Sequence, residues 1–351
     1  MGTELDRGAR VTHRLDTLVQ VLVPSALVVA VGIGATLVSA ASEIYFLDAL
    51  VSVAIVVAIY VFIGNSGVLS FGQISFVAVG AFIAGVMTVP LDSKAGVLPQ
   101  LFPVLRDHTI GNVPSLLLAT TAGGVFAFLV GLPLMRLSGL AAGIATLAVL
   151  EITHNLLREW TKIGPGATTL SLVPETTGPL QATMGALVVV AVAFAYQRSR
   201  FGRMLRATRE DAAAARGVGV NVHTQRLWAF TLSGALAAFA GGLLVHELGS
   251  ITTEQVYLEL TFVTLAMLVV GGVSSLWGAV LGALAVSGLN SFLIEAEQGV
   301  DVGLTFDLPS GTRLILLGSL MALVLIVRPA GLTGGREVRL ATPKLRSATK
   351  A

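Results

Sequence analysis

The sequence predicts an all-α, polytopic helical membrane protein with about ten transmembrane spans and both termini in the cytoplasm. Three observations predict it. Apolar residues make up 54% of the chain and charged residues only 12%, about half the charged share of a soluble domain. Several apolar runs exceed the roughly 18 residues needed to cross a hydrocarbon layer about 30 Å thick. Those runs are continuous and do not alternate with period two, which excludes a transmembrane β-barrel.

The spans fall at 18–40, 48–63, 68–89, 113–135, 139–157, 179–196, 226–246, 258–272, 275–294 and 311–328. Residues 1–17 read as a polar amino-terminal tail, 18–334 as the transmembrane domain, and 335–351 as a basic tail. The first apolar run lacks the short core and small-residue cleavage site of a signal peptide, so it reads as a retained span. Lysine and arginine favour cytoplasmic loops. With the amino terminus inside, inner segments hold Arg7, Arg10, Arg14, Arg136, seven arginines from Arg198 to Arg226, and six basic residues from Arg328 onward. That is 17 of 22; the outer side keeps Lys94, Arg106, Arg158, Lys162 and Arg313.

A net charge of +2 gives no case for nucleic acid as a partner. The absence of cysteine excludes disulfides, thiolate metal sites and cysteine nucleophiles. Outer stretches 90–112 and 158–178 are rich in Pro, Gly and Thr, and 295–310 is acidic. They read either as solvated connectors or as a rim for an extracytoplasmic partner. Two segments read as broken or tightly packed helices: Gly64-Asn-Ser-Gly-Val-Leu-Ser-Phe-Gly-Gln73 and Gly271-Gly-Val-Ser-Ser-Leu-Trp-Gly278. Glycine, serine and asparagine weaken helices, and such backbone is tolerated at membrane depth only under protein or along a cavity. Paired interruptions in the two halves point to a substrate route; short turns built for close helix packing are the alternative.

The most polar element lies between apolar flanks. Arg198, Arg200, Arg203, Arg206, Arg209, Glu210 and Asp211 fall within fourteen residues. Ser199 is placed to cap a helix beginning near Phe201, and Gly217 and Gly219 to end it. On one continuous helix Arg203, Arg206, Glu210 and Ala214 share a face, and Arg206 can pair with Glu210. The alanine run Ala212 to Ala215 offers a small-residue surface for close approach. A water-side partner that grips this helix explains it better than a linker whose arginines only set orientation.

The segment resembles the cytoplasmic coupling motif of ABC importer permeases in the branched-chain amino acid (LivH/LivM) family. That pattern, Phe-Gly-Arg-x-Leu-Arg-Ala-x-Arg-Glu-Asp-Glu-x-Ala-Ala-x-x-x-Gly-x-Asn, is met at Phe201, Gly202, Arg203, Leu205, Arg206, Ala207, Arg209, Glu210, Asp211, Ala214, Ala215, Gly219 and Asn221. Ala212 departs from it, standing where glutamate is usual. Gly67-Val-Leu-Ser-Phe-Gly-Gln73 and its continuation to Ala81, Gly241-Gly242, Gly271-Gly272, Trp277-Gly278 and Arg328-Pro-Ala-Gly-Leu332 also fit, and the Arg-Glu-Asp form is closer to the LivM type. The first 15 residues and the tail after Gly334 lie outside the resemblance.

The resemblance implies a subunit without an ATPase, and the chain has no Gly-x-x-x-x-Gly-Lys-Ser/Thr phosphate loop. It implies a second homologous permease, two cytoplasmic ATP-binding subunits that hold the ATP and Mg, and an extracytoplasmic substrate-binding protein, assembled in a bacterial inner membrane. Phe201, Gly202, Arg203, Arg206, Ala207, Arg209, Glu210, Asp211, Ala214, Ala215 and Gly219 become candidate ATPase-coupling residues. Gly64, Asn65, Gly67, Gln73, Glu151, Gly271 and Gly272 become candidates for the translocation path. The family also admits importers of urea and short amides.

Ionisable groups at depth are functional suspects. Glu151, His154, Asn155 and Arg158 share a helical face, placed either to bind a zwitterionic head or to satisfy one another. His246 and Glu247 read as interfacial at the outer end of span seven. No His-Glu-x-x-His, paired-acid or Ser-His-Asp pattern supports a membrane enzyme. A secondary transporter needs coupling carboxylates at the midplane, and a pure scaffold has no use for broken helices.

Overall fold

A computed structural model describes residues 2–37, 40–297, 312–328, 330–335 and 337. Most of the acidic outer stretch and nearly all of the basic tail lie outside the described residues. The helices are α1 (Gly2–Leu37), α2 (Ala40–Ser66), α3 (Gln73–Thr88), α4 (Leu91–Val97), α5 (Pro103–Arg106), α6 (Asn112–Leu134) and α7 (Leu140–Glu159). They continue with α8 (Pro179–Arg198), α9 (Arg200–Glu210), α10 (Ala212–Gly217), α11 (Val222–Leu248), α12 (Leu258–Gly271), α13 (Leu276–Glu297) and α14 (Thr312–Val327). A 3-10 turn, Glu254–Val256, precedes α12. The protein is a polytopic helical membrane protein. Among the described residues eight helical stretches are long and apolar enough to cross a membrane, and two shorter apolar helices, Gln73–Thr88 and Ile315–Val324, fall within the remaining two predicted spans.

Three boundaries differ from the sequence expectation. The helix that carries the first span begins at Gly2, well before the apolar run that starts at 18. The expected first outer loop at 41–47 is helical within α2. Its residues Ile44 to Leu47 are apolar, and Glu43 lies in the first turn, where the helix dipole favours an anion. The single helix expected at 201–219 is two helices, with Asp211 at an extended corner of φ −150° and ψ 107°. The Asp211 carboxylate accepts from the amides of Ala213 at 2.8 Å and Ala214 at 3.0 Å, so it starts a new helix instead of continuing the old one.

The core is built around α2. Its residues from Leu50 to Ile63 are buried on every face, as suits a helix that is apolar all round. Helices α11, α8 and α13 pack beside it, and α3 and α6 pack on α11 and on one another. Phe230 of α11 stands edge-on to Phe62 at 5.1 Å and to Phe76 at 5.3 Å, and Phe126 of α6 meets Phe76 at 5.7 Å. Without a hydrophobic drive between helices in lipid, close association rests on small residues and backbone contact. A Cβ on Gly80 would strike the Ala238 carbonyl, and one on Gly241 would strike that of Val77. Gly271 and Gly282 make the corresponding crossing between α12 and α13.

The connectors separate by end. At one end Arg198 reaches Gln20 at 3.1 Å, Arg226 reaches the Leu137 carbonyl at 3.4 Å, and Gln197 reaches Glu337 at 3.1 Å. At the other, Leu170 and Ile251 exchange backbone hydrogen bonds, Phe102 N donates to the Lys162 carbonyl, and buried Lys94 donates to the His108 carbonyl at 2.7 Å. Each set contains only segments that the charge bias assigns to one side. The stretches 90–112 and 158–178 are therefore folded over the bundle. His246 is a correction: it is fully buried, its ring nitrogens against the Gly242 carbonyl at 2.7 Å and Thr88 Oγ1 at 3.2 Å. The 158–178 segment covers the end of α11, Thr177 N donating to the His246 carbonyl.

Candidate functional site

The arginine-rich element builds from a cap. Ser199 ends α8 in extended backbone, and its Oγ accepts from Gly202 N at 3.1 Å, as the sequence predicts. A Cβ on Gly202 would strike the Tyr196 carbonyl, so glycine lets α9 fold back beneath α8. Gly202, Leu205 and Thr208 form the buried face of α9, while Phe201, Arg203, Ala207 and Glu210 are exposed. Asp211, Ala214 and Gly219 are exposed on α10 and its exit; Ala215 is buried. Gly202 and Ala215 therefore serve the inner packing. The outward surface carries two large apolar residues, Phe201 at 51% and Val218 at 81% exposure, at the most charged part of the chain.

The inward arginines meet the first glycine-rich segment. Arg206 Nη1 donates to Asn65 Oδ1 at 3.1 Å, and Asn65 Nδ2 donates to the Val61 carbonyl at 3.0 Å. Arg209 Nη1 donates to the Gly64 carbonyl at 2.7 Å. The last carbonyls of a helix have no internal partner, and its C-terminal dipole favours a cation; both arginines act on that end of α2. Gly67 has φ +68°, and a Cβ there would meet the Arg209 side chain. Asn65 is buried. Among the described residues no ion pair joins Arg206 to Glu210. Arg206 turns inward to Asn65 instead, where the end of α2 lies beneath α9.

Gly64, Asn65 and Gly67, expected on the path, thus form a joint with Arg206 and Arg209. The other path candidates lie apart. Gln73 is buried in the core, its Oε1 3.1 Å from Ser233 Oγ, which also lies 2.7 Å from the Ala58 carbonyl; Gln73 Nε2 has no partner among the described residues. Gly271 and Gly272 sit where α12 turns into α13, with Leu332 N donating to the Val270 carbonyl and Thr333 Oγ1 to that of Gly271 at 2.8 Å. Glu337 caps the start of α13 by accepting from Leu276 N at 2.7 Å.

Glu151 lies toward the opposite end, exposed on α7. It accepts from Tyr257 Oη and from Asn155 Nδ2, the latter at 2.8 Å. His154 stacks on Tyr257 at 3.9 Å and lies 3.5 Å from Glu254, which Arg158 approaches at 3.9 Å. The expected polar face is present and is tied to the α12 entry. Tyr257, Glu254, Ser233 and Glu337 were missed, since each meets its partner from a distant part of the chain.

Comparison with known proteins gives a consistent assignment. A family described as branched-chain amino acid transport system permease component matches residues 43–325. The high-affinity branched-chain amino acid transport system permease protein LivM of Escherichia coli is 27% identical over 307 residues, 78% of this chain and 65% of that protein. A probable LivM of Methanocaldococcus jannaschii is 26% identical over 302 residues, 77% of this chain and 86% of that protein. The autoinducer 2 import system permease protein LsrC of Shigella flexneri is 28% identical over 236 residues, 62% of this chain and 67% of that protein. The chain spans 65% of the length of the LivM proteins of Escherichia coli and Salmonella typhimurium. No solved structure matches it.

Proposed function

The chain belongs to the family of permease components of branched-chain amino acid transport systems, and from that premise we propose that it is the translocating permease subunit of an ABC importer for branched-chain amino acids. In this reading a second permease completes the path, two ATP-binding subunits grip α9 and α10 from the cytoplasm, and a binding protein delivers cargo on the opposite face. The observation that carries it is the joint between α9 and α2. Exposed Phe201 and Val218 offer a partner two apolar anchors, and Arg206 and Arg209 connect the same element to Asn65 and Gly64.

A displacement of α9 by a nucleotide-driven partner then acts on the end of α2, the most buried helix of the bundle. Glycine-lined crossings of α3 with α11 and of α12 with α13 provide surfaces that can repack between two states. Co-purification from native membranes tests the assignment. ATP-binding subunits and a second permease bound to the chain support it; recovery of the chain alone, active in uptake, overturns it. The autoinducer 2 permeases among the relatives favour a second reading of the cargo only. Competition for uptake by leucine, isoleucine and valine distinguishes the two.

A further inference from the structure

A basic cavity opens at the end that carries the arginine-rich element. It encloses about 650 Å³ between the α6–α7 turn and the entry to α11. Arg136, Arg216 and Arg226 line it together with His223, and among the described residues no carboxylate does. Uncompensated positive charge in a concave site calls for an anion. Arg226 strengthens the case: its Nη1 is spent on the Leu137 carbonyl at 3.4 Å, while its Nε is buried with no partner among the described residues. A guanidinium offers five donors, and a buried donor left unmade is costly. The first turn of the 27-residue α11 enters the same cavity with Val222 and His223, adding the positive end of a long helix dipole.

The surroundings identify the bearer of the anion. Trp228, two residues beyond Arg226, is 51% exposed and lies 6.1 Å from the Phe128 ring of α6. Leu129 and Leu132 continue that outward apolar surface. Tryptophan on a spanning helix marks the headgroup level. We propose that this cavity binds the phosphate of an anionic phospholipid headgroup, with the acyl chains running along α6 and α11. Basic pockets between spanning helices on the cytoplasmic side suit such headgroups.

The test is titration of the purified full chain, in neutral detergent, with dioleoyl-phosphatidylglycerol and with dioleoyl-phosphatidylcholine, read by native mass spectrometry and thermal melting. Neither Arg136 nor Arg216 donates through its side chain to another described residue, so Arg136→Gln and Arg216→Gln remove charge without breaking an internal bond. Each should weaken phosphatidylglycerol binding about fivefold, while Arg203→Gln, on the outer face of α9, leaves it unchanged. Equal binding of the two lipids, or unaltered affinity in both variants, overturns the proposal. Stabilisation by millimolar inorganic phosphate that matches phosphatidylglycerol assigns the cavity to a soluble anion instead. Loss of co-purifying ATP-binding subunits with lipid affinity intact assigns it to protein docking. The lipid and phosphate titrations use the isolated chain and need neither transport nor ATP-binding subunits, so their result stands apart from the function proposed above.

Discussion

Arg209 closes the end of α2 by donating to the carbonyl oxygen of Gly64 at 2.7 Å, across 145 residues of sequence. Gly67, at φ +68°, leaves the space that its side chain crosses. Beside it Arg206 holds Asn65, so two guanidiniums from a water-facing helix terminate the central helix of the bundle.

If that joint transmits force, breaking it uncouples the protein while leaving it assembled. A hydrogen bond to a charged group contributes about 1.5–3 kcal/mol, which corresponds to about a 10- to 150-fold loss. Arg206→Ala and Asn65→Ala should each lower ATP-driven uptake in proteoliposomes within that range, with ATP-binding subunits still bound. The double variant should lose no more than either single one, as partners in one interaction do. Normal uptake in Arg206→Ala would reduce α9 to a linker.

Close helix crossing predicts a sharp contrast among glycines. Gly241→Val forces a side chain against the Val77 backbone, and such overpacking costs about 1–3 kcal/mol or more. Gly288 has open space where a Cβ would stand, so Gly288→Ala should be neutral or slightly stabilising. Thermal melting of the two variants in the same detergent decides it; equal melting temperatures would contradict the packing described.

The Asp211 corner carries a pH signature. Amide hydrogen bonds from Ala214 and Ala213 hold its carboxyl below the usual carboxylate value. A depressed folded value means the cap is fully present above the unfolded pKa of about 3.9 and is lost as pH falls through the lower folded value. Amide exchange at Ala213 and Ala214 should therefore show no change in protection between neutral pH and pH of about 5. Asp211→Ala should speed exchange at both amides several-fold at neutral pH, and Asp211→Asn, which keeps an acceptor, should not. Exchange unaffected by Asp211→Ala would mean the corner is set by other contacts.

Sidedness can be read with single cysteines, because the chain has none of its own. Thr168→Cys lies on an exposed stretch at one end, and Val218→Cys, at a position 81% exposed, lies at the other. An impermeant thiol reagent should label the first on intact cells and the second only after permeabilisation. The reverse pattern would invert the orientation drawn from the arginines.

The sequence by itself determined the membrane class, the positions of the apolar helices, the Ser199 cap and the grouping of basic segments at one end. These follow from composition, run length and local capping chemistry, which act within a few residues of one another. Tertiary structure alone decided that the glycine-rich segment at Gly64 meets the arginines of α9, that Arg206 chooses Asn65 over Glu210, and that His246 is buried. Each depends on a partner brought near by helix packing. Hydrogen bonding and exposure are properties of the folded surroundings, and no periodicity along the chain encodes which distant carbonyl a guanidinium will find.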